Sequence, residues 1–140
     1  MAEVVLRSAL DSAGLADSVI VDSAGTGDWH VNEPMYASAR AALARRGYDG
    51  SSHRARQFDP AWFGSRDLVL AMDSANLADL LALGGPPDRV LLFGEVGGIG
   101  EVPDPYGGTS ADFDHVLDLL ETAAPVVVRR LGQLLAPWPA

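Results

Sequence analysis

Cysteine is absent from all 140 residues. That removes disulfides, Cys-ligated zinc and a thiolate nucleophile from this stretch of chain at once. Lysine is absent as well: all 10 basic residues are arginine, and against 19 acidic ones they leave a net charge of −9. Such a balance lacks the positive footprint that a nucleic-acid backbone demands. No uninterrupted apolar run reaches the roughly 18 residues of a membrane-spanning helix. The opening residues, MAEVVLRSALDSAGLAD, carry neither the basic nor the apolar region of a secretory signal. The expectation is a cytoplasmic protein with no nucleic-acid or membrane partner. What is present suits one folded domain: 48% of residues are apolar, enough for a sizeable core but not for two.

Hydrophobic spacing orders the chain. Val5, Leu6, Ala9 and Leu10 recur at helical intervals up to Gly14, so the sequence begins inside a helix. Ser18–Val21 is short and β-branched, the pattern of a buried strand, with the loop SAGTG after it. A second helix follows Pro34, turns Ala39, Ala42 and Leu43 inward and stops at Gly47. Residues 52–63 read as irregular. Leu68–Ala71 and Val90–Phe93 read as strands on either side of a helix over Ser74–Leu83. Gly94–Ser110 reads as one long loop with six glycines, a length that compact domains usually reserve for function. A long amphipathic helix from about Ala111 closes the chain, and Pro125 should bend or divide it. Apolar strands alternating with helices predict a parallel sheet covered on both faces.

Few motifs speak for themselves. The glycine-rich loops match no nucleotide signature, and His30, His53 and His115 are too scattered for a metal centre. No cofactor or metal is therefore expected. Asp104 stands between Pro103 and Pro105, where few backbone conformations are open. It is either a turn carboxylate or a rigidly held acid suited to protonating a leaving group. Trp29 lies in the loop after the predicted first strand, as packing or as a substrate wall, and Ser23 closes that strand. Arg45, Arg46, Arg54 and Arg56 read as a solvated face.

Taken in order, MAEVVLRSAL, DSAGTGDWHVNEPMYASARAALARRGYD, HRARQFDP, DLVLAMDSANLADLL and EVPDPYGG followed by DFD span nearly the whole chain. Together they resemble the low-molecular-weight protein-tyrosine-phosphatase family. The resemblance implies a doubly wound α/β fold with a four-stranded parallel sheet. It also implies metal-independent hydrolysis of phosphotyrosine, in a protein or a small aryl phosphate, through a cysteinyl-phosphate. Asp104 would be the general acid, Trp29 and Tyr106 the aromatic walls of the cleft, and Ser23 a support for the phosphate loop. Where the family pattern has a second aromatic after Asp-Pro-Tyr, this chain has Gly107. Its first strand and its Cys-x5-Arg-Ser-Pro loop would lie ahead of Met1. Residues 1–140 are accordingly expected to be one domain cut before its first helix, and inactive as they stand. Two alternatives share the fold: a pseudophosphatase that binds without catalysis, and an arsenate reductase.

Overall fold

The computed structural model describes residues 1–27 and 30–135. It is an α/β arrangement with the order α1 (Ala2–Ser12), α2 (Ala37–Arg45), a 3₁₀ turn (Pro60–Gly64), β1 (Val69–Ala71), α3 (Ser74–Ala82), β2 (Val90–Leu92), α4 (Phe93–Val96) and α5 (Ser110–Leu134). β1 and β2 pair in parallel, Val69 opposite Val90 and Ala71 opposite Leu92. Side chains alternate across a pleated strand. Val69, Ala71, Val90 and Leu92 accordingly enter a small core with Phe63 and Leu80. Leu70 and Leu91 face the opposite way, into the larger core of α1, α2 and α5. Helices thus cover both faces of the sheet, as the apolar strands predict.

The helix ends follow the sequence closely. At the end of α1, Gly14 takes a φ of +74°. Its N–H then bonds the Asp11 carbonyl, and the Leu15 N–H reaches back to Leu10. Gly47 repeats this after α2 at φ +83°, with the Tyr48 N–H on the Leu43 carbonyl. A left-handed residue is needed to turn the chain back on the last carbonyls, and only glycine adopts it without a Cβ clash.

Four expectations are corrected. Ser18–Val21 forms no strand: Ser18 and Val19 close a turn on the Leu15 carbonyl, and Ile20 is 97% exposed. β-branched residues favour extension, but a strand exists only with a ladder beside it, and here Arg7 takes the Val21 carbonyl instead. Phe93 opens α4 rather than ending β2, which shortens the long loop. Gly97 serves close packing: a Cβ there would stand 2.5 Å from that of Ala123 on α5. Pro125 does not divide α5, which runs through it. Its exposed ring leaves the freed carbonyl on the wet side, while Ala123, Ala124, Val127 and Val128 stay buried. Finally, Arg45 and Arg46 are not simply a solvated face. Arg45 meets Asp114 at 3.1 Å, and Arg46 pairs with Asp118 and Glu121, clipping α2 to α5. Among the described residues no helix is long and apolar enough to cross a membrane.

Candidate active site

The loop bearing Asp104 is tied at both ends. At its start the Val102 N–H donates to the Met72 carbonyl (2.9 Å), one residue past the C-terminal end of β1. Beside this, the Ser74 N–H at the head of α3 donates to the Glu101 carboxylate. Hydrogen bonding from Ser74, side chain and backbone, holds that carboxyl below the ordinary range. At its far end the Thr109 side chain accepts from the Asp112 N–H, and the Asp112 carboxylate accepts from the Thr109 N–H. This reciprocal cap starts α5 immediately after the loop.

Between these ties the chain turns twice. Asp104 Oδ1 accepts the Tyr106 N–H at 3.0 Å, and the Gly108 N–H donates to the Pro105 carbonyl at 2.8 Å. Gly107, third in that second turn, has φ +78°, a conformation that an L-aromatic residue would adopt only under strain. A Cβ on Gly108 would lie 2.5 Å from Asp112 Oδ2. No ring can follow Tyr106 cheaply at either position. Asp104 and Tyr106 are both exposed, the latter at 61%. The loop presents a carboxyl group and a phenol ring together at the C-terminal side of the sheet, the side on which parallel α/β folds bind ligands.

Tyr106 is not isolated. Its ring centroid is 4.7 Å from Tyr36 and 5.8 Å from His30, and Tyr36 is in turn 5.8 Å from the buried Phe113. Tyr36 escaped the sequence reading, since nothing nearby marks it and its partners lie about seventy residues away. Trp29, the other expected wall, lies outside the described residues.

Ser23 belongs to a second group, at the first turn of α1. Its hydroxyl donates to Glu3 Oε1 at 2.8 Å, and Glu3 also meets Arg7 at 2.9 Å and His53 at 3.9 Å. Burial pushes the His53 imidazole below its ordinary value, with Glu3 opposing. Next to Ser23, Asp22 is shared by Arg66 (2.6 Å) and Arg56 (3.2 Å). Burial alone would raise the Asp22 carboxyl, but the two guanidiniums overcome it and hold it low. Both guanidiniums also lie over Trp62, at 4.8 and 5.1 Å from its centroid. Arg56 is thus exposed, as a solvated face implies, but tied to Asp22 and Trp62. Glu3, Ser23, His53, Arg54 and Arg56 help line a cleft of about 370 Å³. In the sequence Glu3 is the acidic residue of a helix's first turn; its contacts with Ser23 and His53 have no local signal. Among the described residues no three His, Cys, Asp or Glu side chains cluster as a metal site.

Comparison with known proteins identifies the family. The description "Low molecular weight phosphotyrosine protein phosphatase" matches residues 1–135. A putative low molecular weight protein-tyrosine-phosphatase of Synechocystis is 40% identical over 140 aligned positions, covering 96% of this chain and 88% of that protein. A low molecular weight protein-tyrosine-phosphatase of Streptomyces coelicolor is 41% identical over 133 positions, covering 89% and 80%. Among solved structures, the protein tyrosine phosphatase of Entamoeba histolytica superposes with a TM-score of 0.87 at 29% identity, covering 94% of this chain and 87% of that one. The chain belongs to the low molecular weight phosphotyrosine protein phosphatase family.

Proposed function

We propose that residues 1–140 form a single domain that supplies the acid and aromatic side of a phosphotyrosine-hydrolysing centre. Its substrates would be phosphotyrosine in proteins, or small aryl phosphates. The observation that carries this reading is the loop of Asp104, tied to Met72 at one end and capped by Thr109 at the other. An acid held so firmly protonates a departing phenolate without first being organised. Tyr106, bonded through its N–H to the same carboxylate, places a ring beside that position.

The chemistry needs a nucleophile that these residues do not contain. In the proposed reaction a cysteine thiolate attacks phosphorus, and the ester oxygen leaves with the Asp104 proton. Water then attacks the cysteinyl-phosphate and returns a proton to Asp104. Ser23 donates a hydrogen bond through its hydroxyl to Glu3 and keeps lone pairs to accept an N–H from a phosphate loop. With a net charge of −9 the chain offers phosphate no long-range attraction, so binding falls to local donors.

The test places a strand and a Cys-x5-Arg-Ser-Pro loop of the family pattern ahead of Met1. The extended chain should hydrolyse a phosphotyrosine peptide; residues 1–140 alone should not. Asp104→Asn should then lower turnover by about 10²-fold or more, and less for an ester whose leaving group is already acidic. Equal losses on both esters, or none, would remove Asp104 from the mechanism. The absence of cysteine here also favours a second reading, a domain that binds without catalysis. Binding of the phosphotyrosine peptide with no hydrolysis in either chain would select it. Reduction of arsenate in place of ester hydrolysis would select the reductase.

A further inference from the structure

The geometry points to Tyr36 as a positioning residue for the acid loop: a ring on a distant element that stands where the loop itself admits no second aromatic. Four rings form a continuous column from the core to the rim, Phe113, Tyr36, Tyr106 and His30, at successive centroid distances of 5.8, 4.7 and 5.8 Å. Phe113 is 2% exposed, Tyr36 43% and Tyr106 61%, so the column is anchored at its inner end and open at its outer one.

The base of Tyr36 is itself fixed. Its carbonyl accepts the Arg40 N–H as the first bond of α2. Its neighbour Met35 is buried against Gly50, where an added Cβ would lie 2.9 Å from the Met35 sulfur. The backbone beneath the ring is thereby anchored, and tilted ring pairs at these distances attract beyond their area burial. Tyr106 is therefore braced from behind. Its N–H holds Asp104 Oδ1, so what steadies Tyr106 steadies the carboxylate. The positive φ of Gly107, which would strain an aromatic residue, and the crowding at Gly108 close the other route to a brace, an aromatic on the loop itself.

The inference rests on the proposed function for its catalytic consequence but not for its structural one, and the test separates the two. In the 140-residue chain, Tyr36→Ala should speed amide exchange at Tyr106 and Gly108 about fivefold or more, with core amides such as that of Leu117 unchanged. Tyr36→Phe, which keeps the ring, should leave all of them as they were. In the chain extended with a Cys-x5-Arg loop, Tyr36→Ala should lower kcat for phosphotyrosine about tenfold, a misplaced acid being the cause. It should cost less than about twofold on an ester with a strongly acidic leaving group, which needs little protonation. Tyr36→Phe should restore both. Unchanged exchange at Tyr106 and Gly108, or an equal rise throughout the core, would overturn the inference whether or not the extended chain is active. Equal kcat losses on both esters would also overturn it. An inactive extended chain with the local exchange effect intact would instead overturn the proposed function.

Discussion

His53 is the side chain whose charge the fold opposes within the physiological range. Its ring faces the Glu3 carboxylate at 3.9 Å, and the Met1 ammonium and Arg56 also act on it. Burial outweighs the attraction of Glu3 and leaves its pKa below the ordinary value. The unfolded chain, with a histidine pKa of about 6.5, then binds the proton more readily than the folded one. The stability His53 contributes is present above that value and is lost as pH falls through the folded one. Asp22, also held low, acts in the same direction further down: its contribution begins to go only below about pH 4. Urea unfolding between pH 7.5 and 5 should therefore show declining stability, and His53→Gln should flatten that limb while leaving the acid limb below pH 4. An unaltered slope above pH 5 in the variant would assign the decline elsewhere.

At the scale of elements, α5 carries the most information about how the site is built. Its reciprocal Thr109–Asp112 cap both starts the helix and ends the acid loop. Thr109→Ala should cost about 1 kcal/mol of global stability, within a usual range of about 0.5–2. Equilibrium denaturation checks this, and a change below about 0.3 kcal/mol would show the cap to be redundant with the packing of Phe113 and Val116. The helices were legible in the sequence because their signals are local: apolar spacing, and glycines such as Gly14 and Gly47 that permit the terminal turn. Asp104 stands out locally through its flanking prolines, whereas its role as an acid and that of Tyr106 as a wall rest on the resemblance of the hexapeptide that holds both. Ser18–Val21 was misread because strand formation is settled by a neighbour, not by the segment itself. Tyr36, Glu3 and the Arg46 clip were missed on similar grounds. Each matters through a partner brought close only by the fold: Tyr106, Ser23 and the acidic face of α5.

For the whole molecule, the decisive feature is that six strand residues separate two cores. Alternation along β1 and β2 sends Val69, Ala71, Val90 and Leu92 to one side and Leu70 and Leu91 to the other. The larger core holds Leu117, with no exposed surface, and the smaller holds Leu80 at 5%. Either leucine cut to alanine should destabilise by about 2–5 kcal/mol, as buried leucines do. Because the sheet is a partition one strand thick, the two lesions share no side-chain cluster, and the energetic consequence is independence. The double variant Leu80→Ala, Leu117→Ala should fall short of the sum of the singles by no more than about 0.5 kcal/mol in a denaturation cycle. A coupling above about 1 kcal/mol would mean that the pleat transmits strain between its faces. If independence holds, substitutions tolerated under α3 carry no debt to the core beneath Tyr36, and the face that braces the acid loop can keep its packing while the opposite face changes freely.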